Sequence, residues 1–334
     1  MMKTLRGLLA VIAVIFMAAM TGAALAQQPS SVNPTKESVK EEQLLNALRG
    51  QGGVAGRISI PDQRAASLIT PGNQEWSVFH QGPLRTIGVV AVLGMLAGLT
   101  LFYLLRGKIR LASGFSGQLI QRFGSLERFA HWLTAGCFIV LALSGLNLTF
   151  GKSLLAPLIG AEAFASLTGL GKIAHNYLAF PFMAGLALMF LIWIKDNIPS
   201  GRDIEWAKAG GGLIGKGHVP AGRFNGGQKL IFWIVALGGL AMSISGWHLL
   251  FPFADGGSVS DLQFWNMVHG IAGLIFIAVM LAHAYIGSVG MEGAFDAMGT
   301  GNVDLNWAKE HHSIWVEDEL KKLPGGGAKM QAAE

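Results

Sequence analysis

Residues 264–286 read FWNMVHGIAGLIFIAVMLAHAYI, 23 residues without a single Asp, Glu, Lys or Arg but with two histidines, His269 and His283. About 20 apolar residues suffice to cross the hydrocarbon core of a bilayer as a helix, so this stretch is expected to span a membrane. Ionisable side chains inside a span are costly and usually functional. The two histidines stand 14 residues apart. That step is roughly 21 Å along a helix and slightly under four turns, so both side chains leave it on nearly the same face. One helix therefore offers an imidazole near each surface of the membrane.

Four further apolar blocks precede it, at Leu84–Leu105, Phe129–Phe150, Ile173–Ile194 and Leu230–Phe251. The chain is 51% hydrophobic and 13% charged, about half the charge of an ordinary soluble domain. The fold class expected is all-α: an integral membrane bundle with a four-helix core, residues 120–290, and one extra N-terminal span, residues 84–105. Arg106, Lys108, Arg110, Arg122 and Arg128 follow the first span; Lys195, Arg202, Lys208, Lys216, Arg223 and Lys229 follow the third. The loop from Pro252 to Gln263 has no basic residue. The excess of Lys and Arg puts the two basic loops in the cytoplasm. Basic residues dispersed in this way fit membrane topology and lipid contact; no nucleic-acid partner is expected.

Residues 1–26 have the layout of a signal peptide: Lys3 and Arg6, the apolar run Leu8 to Met20, then Ala24-Leu25-Ala26. Residues 27–83 are expected as a periplasmic segment and residues 291–334 as a cytoplasmic tail. The lone cysteine, Cys137, excludes a disulfide framework or a Cys-ligated cluster within the chain and reads as a packing residue.

Five histidines fall in the spans, His131, His175, His248, His269 and His283, while their apolar cores hold no Asp or Glu. A proton-relay carrier would need carboxylates there; haem iron needs neutral imidazoles in a dry bundle. Topology sorts the histidines by depth. His131 and His283 lie on the inner side, His175 and His269 on the outer. Four ligands at two depths make two six-coordinate b haems with no open coordination position. His248 is the spare, expected at a haem propionate, a partner or interfacial water. Gly136, Gly145, Gly185, Gly270 and Gly273 allow close approach of a macrocycle or another helix. Arg128, one turn before His131, is a candidate to meet a propionate.

Several stretches resemble the cytochrome b (gamma) subunits of respiratory formate dehydrogenases. They are Arg128-Phe-Ala-His131-Trp132 with Ser144-Gly145, the loop Asp196 to Trp206, Phe224-Asn-Gly-Gly-Gln-Lys-Leu-Ile-Phe-Trp233, and His269-Gly-Ile-Ala-Gly273 with His283-Ala-Tyr285. Trp307-Ala-Lys-Glu-His-His312 with Trp315 completes the set. The resemblance covers about residues 120–316, leaving the first span outside it. It implies two haem b groups on the same four histidines, and a quinone-reducing site at Asn225 and Gln228 for menaquinone or ubiquinone. It further implies a catalytic molybdenum or tungsten subunit and an iron–sulfur subunit as partners, the former oxidising formate. Surface amides can hydrogen-bond a quinone carbonyl; the plainer reading is that Asn225 caps a helix and Gln228 is solvated. The cytochrome b of a membrane-bound hydrogenase or thiosulfate-type reductase would share the four-helix core. A non-redox anchor or transporter is the alternative of another class, and it predicts no haem.

Overall fold

The computed structural model describes residues 46, 49, 75–211, 219–252, 259–322 and 331–332. The expected signal peptide lies outside them, as does nearly all of 27–74. Five helices are long and apolar enough to cross a membrane: α1 (Glu75–Arg106), α2 (Ser125–Leu154), α3 (Ala161–Asn197), α5 (Gly226–Leu250) and α6 (Val259–Gly290). A short polar helix, α4 (Gly201–Lys208), connects α3 to α5.

All five expected spans are present, with longer ends. α1 begins at Glu75, so the last residues of the expected polar segment are helical. α3 begins at Ala161, twelve residues before the apolar block, and takes in Lys172 and the turn preceding His175. The helix outlasts its apolar stretch because Gly160, at φ 86°, takes the positive-φ conformation that starts it, and no proline follows for twenty residues. Pro181 sits within α3 and removes one backbone donor from its ladder.

α2 packs along α3 and α5 along α6, and α1 lies against α6. Leu84, 1% exposed, fits over Gly270, where a Cβ would come within 3.0 Å of it. Most large side chains on the other helix faces remain exposed, as lipid-facing surfaces do. Cys137 is buried with Phe182 and Phe276, a packing residue as expected.

The end of the bundle carrying the basic loops has a folded cap where a tail was expected. A three-stranded antiparallel sheet joins β1 (Gln118–Gln121), β2 (Asn302–Asp304) and β3 (Gln331–Ala332), with Ile120 opposite Val303 and Leu119 opposite Gln331. A short helix, α7 (Asp296–Gly299), precedes β2, and α8 (Leu305–Lys321) follows it. Val303, Trp307, Trp315 and Val316 join Phe123, Trp193 and Phe224 in the main buried core. α8 kinks at His312 (φ −146°, ψ 49°), where the N–H groups of Ile314 and Trp315 both turn to the carbonyl of Ala221. Cap and bundle thus share one core, and the cap closes on the ends of α2, α3 and α5.

Candidate functional site

α6 presents His269 and His283 on one face, and each meets a histidine from a different helix. His131 of α2 faces His283 with ring centroids 6.2 Å apart and planes at 58°. His175 of α3 faces His269 at 6.1 Å and 65°. The four histidines are brought together as two pairs, one toward each end of the bundle. Among the described residues, no group of three or more His, Cys, Asp or Glu side chains gathers in metal-binding fashion.

The pairs differ in their surroundings. Ser144 Oγ lies 2.8 Å from His175 Nδ1, and Ser245 Oγ lies 2.9 Å from His269 Nδ1. Each serine is followed by a glycine beside the ring: a Cβ on Gly145 would stand 3.8 Å from His175 Cε1, and one on Gly246 3.4 Å from His269 Cε1, both ordinary contacts. At the other pair, His131 Nδ1 is buried with no hydrogen-bond partner among the described residues. Between the pairs lies an apolar plug. Phe138 meets Phe276 edge-on at 5.0 Å and lies tilted against Phe182 at 6.4 Å. Each of these rings stands seven residues, about two turns, from one of the paired histidines. The plug keeps the middle of the bundle dry.

Sequence reasoning singled out neither Ser245 nor the three phenylalanines. A signal existed: 144–145 and 245–246 are the Ser-Gly steps inside spans, and the phenylalanines repeat the histidine register.

His248 stands apart from both pairs, its ring stacked on Trp265 at 4.3 Å and 5°. Of the glycines singled out, Gly185 packs against Thr134, Gly270 against Leu84 and Gly273 against Met242, whereas Gly136 has nothing within 4 Å of a built Cβ. Arg128 donates from Nε to the carbonyl of Met298 (3.3 Å) and from Nη2 to that of Gly299 (2.7 Å). Trp132 Nε1 donates to the same Met298 carbonyl at 2.9 Å. These bonds tie the first turn of α2 to the cap.

Asn225 and Gln228 open α5. Gln228 N–H donates to Asn225 Oδ1 at 3.0 Å, and Asn225 N–H donates back to Gln228 Oε1 at 3.2 Å, a reciprocal cap. These bonds engage the side-chain oxygens and not the NH2 groups. A polar cleft of about 290 Å³ opens beside Asn225, lined among others by Asp196, Asp203, Arg223 and Lys229. Lys229 pairs with Asp203 at 3.0 Å, and Arg223 bridges Glu127 (2.6 Å) and Asp196 (2.9 Å). The Asp203 carboxyl sits below its ordinary range because hydrogen bonds from Ser200 and Lys229 outweigh the opposing, individually largest effect of burial.

Behind Gln228, Arg122 is almost wholly buried in a cage of Phe123, Trp307 and Trp315, its guanidinium carbon 5.1, 5.6 and 5.1 Å from the ring centres. Nη2 donates to the carbonyl of Arg223 at 2.6 Å and to Gln228 Oε1 at 3.4 Å. Burial, then the nearby Arg223, brings its pKa down to about 9, so the cage still holds a cation at neutral pH.

Residues 122–301 match the family model described as prokaryotic cytochrome b561. The chain is 32% identical over 205 residues to the cytochrome b556(fdo) subunit of a formate dehydrogenase from Escherichia coli, covering 60% of this chain and 94% of that protein. It is 29% identical over 206 residues to the nitrate-inducible cytochrome b556(Fdn) subunit of the same organism, covering 60% and 92%. It is 28% identical over 216 residues to a formate dehydrogenase cytochrome b556 subunit of Haemophilus influenzae, covering 61% and 85%.

Proposed function

Because the chain belongs to the prokaryotic cytochrome b561 family, we propose that it is the membrane subunit of a formate dehydrogenase, carrying electrons from an iron–sulfur partner through two b haems to quinone. The relatives are cytochrome b subunits of formate dehydrogenases, and five apolar helices make the chain a multi-pass membrane protein. A partner subunit with molybdenum or tungsten oxidises formate, since this chain has one cysteine and no site for that chemistry among its described residues.

The observation that carries the reading is the double imidazole pair on one helix line. An iron bound to one nitrogen of each ring needs ring centres roughly 6 Å apart: about 2 Å of metal–nitrogen bond, plus about 1.2 Å from nitrogen to ring centre, on either side. The separations of 6.2 and 6.1 Å agree with that requirement at both ends. His131 and His283 would hold one haem, His175 and His269 the other. Bound haem supplies a reversible one-electron couple. The protein orients the imidazoles, keeps water out with Phe138, Phe182 and Phe276, and sets the two sites at different depths.

The excess of Lys and Arg in the loops at the cap end supports a cytoplasmic cap, with the His175–His269 end toward the periplasm and the iron–sulfur partner. Quinone is reduced at the cap end. Asn225 and Gln228 keep amide N–H donors outside their mutual cap, as a quinone carbonyl requires, and the adjoining polar cleft gives protons a way in from water. Arg128, in the first turn of α2 and bonded to the cap, is near enough to His131 in sequence to serve a propionate with the guanidinium nitrogen its carbonyl bonds do not use.

Haem quantified on the purified complex is expected at two per chain, both reduced by formate. One haem, or none, defeats the proposal. The quinone end has its own test. Asn225→Asp keeps the capping oxygen and removes the NH2 donor. It is expected to leave thermal stability unchanged and raise KM for quinone about tenfold, the equivalent of one lost hydrogen bond. An unchanged KM would reduce Asn225 to a helix cap.

A further inference from the structure

We infer that Ser144 and Ser245 are positioning residues for the His175–His269 pair, each setting the tautomer of its histidine and lending electron density to this pair alone. The inference rests on the two-haem reading above. Its evidence is a choice of proton position that the neighbouring backbone makes. Ser144 Oγ donates to the carbonyl of Val140 at 2.7 Å, and Ser245 Oγ to that of Ala241 at 2.7 Å. A serine hydroxyl has one proton and two lone pairs, and a carbonyl can only accept. With its proton spent on the carbonyl four residues back, each serine can only accept from the imidazole. Nδ1 of His175 and of His269 must then carry the proton, at 2.8 and 2.9 Å from the serine oxygens. Nε2 keeps its lone pair for iron. The reverse tautomer would protonate Nε2 and leave nothing to ligate.

The device occurs twice, built from unrelated parts of the chain. α2 supplies one serine to a histidine 31 residues on, and α5 the other to a histidine 24 residues on. Ser245 is fully buried and Ser144 nearly so, so water does not compete for either bond. In both cases the next residue is a glycine lying beside the ring edge. His131 of the other pair lacks the device: its Nδ1 is buried without a partner among the described residues.

An imidazole whose N–H is held by an acceptor is the more basic ligand, and a more basic ligand favours ferric over ferrous iron. The outer site is therefore the weaker electron acceptor and the inner site the stronger. One electron passing from outer to inner runs downhill, with no proton or bond exchanged. The serines supply direction that the symmetric pairing of four histidines does not.

The test is a redox titration of the purified complex, wild type against Ser144→Ala, Ser245→Ala and the double variant, with Ser→Thr at each position as the hydroxyl-retaining control. The outer component is identified as the one missing from His175→Ala. In the double alanine variant its midpoint is expected to rise by ~59 mV, a tenfold higher ratio of reduced to oxidised haem at a fixed potential, while the inner midpoint stays put. The threonine variants should titrate as wild type. Selective loss of the outer haem in the alanine variants, with retention in the threonine variants, also supports the inference. Unmoved midpoints, equal shifts of both haems, or the same change in threonine as in alanine would overturn it. A wild-type complex without two b haems would sink the underlying functional reading, an outcome visible before any serine is changed.

Discussion

Replacing His283 with alanine is expected to yield a complex that keeps one b haem of two, and His131→Ala to lose that same haem. His175→Ala and His269→Ala should each lose the other. The pairing follows from the geometry: His283 meets His131 at 6.2 Å, His269 meets His175 at 6.1 Å, and about 21 Å of helix separates the two sites. Removing a direct ligand should weaken haem binding by more than the roughly 10–100-fold that loss of an outer hydrogen-bond partner costs a metal site. Either loss takes one site out of the path, so formate-driven quinone reduction should stop in all four variants. His248→Ala is the control. Its ring lies flat on Trp265 and touches neither pair, so both haems should remain. Visible difference spectra and haem content per chain decide the matter. If His131→Ala and His283→Ala removed different components, or His248→Ala removed either, the pairing would be wrong.

The second large effect is expected at Arg122. Substitution by alanine should destabilise the cap by about 3 kcal/mol, through a void between three aromatic rings and the loss of a buried cation's contacts. Arg122 is where β1, α5 and α8 meet: it fills the cage of Phe123, Trp307 and Trp315 and bonds the Arg223 carbonyl. Arg122→Met, which restores volume without charge, should recover part of the loss. Faster amide exchange in residues 305–321, with the His175–His269 end unaffected, is the expected signature. Unchanged exchange would mean the cage is incidental.

Acidification attacks the same place. His312 is fully buried, its Nδ1 3.0 Å from the Gly222 carbonyl and its Nε2 without a partner among the described residues. A neutral ring donating from Nδ1 tolerates this; a charged ring would gain a second N–H with no acceptor, beside Arg122. Burial first, and Arg122 next, hold its pKa well below the ordinary value near 6.5. The sign follows. The folded cap resists the proton that the unfolded chain binds, so stability present above pH 6.5 is lost as pH falls below it. The loss is up to about 1.4 kcal/mol per unit until the folded-state value is passed. Tryptophan fluorescence of thermal unfolding at pH 7.5 and 5.5 should show the drop, and His312→Asn should flatten it.

What was legible in the chain was whatever depends on position along a single helix. Five spans could be counted because apolar length alone must match the membrane. The depth of His131, His175, His269 and His283, and the shared face of the last two, follow from 1.5 Å and 100° per residue. The helical lead-ins of α1, from Glu75, and of α3, from Ala161, were missed because they precede the continuous apolar blocks that marked the spans. The cap was read as a tail because its helix is amphipathic around a buried arginine, and its strands are three or four residues long and pair with partners far along the chain. Lateral relations depend on how each helix is rotated against its neighbour, which no local pattern encodes. That Ser144 and Ser245 reach the Nδ1 atoms of the outer pair, that Arg122 backs Gln228, and that Arg128 is tied to the carbonyls of Met298 and Gly299 became visible only in the packed bundle. The helical repeat assigned the histidines to two levels of the membrane. The contacts between helices made those two levels chemically unequal.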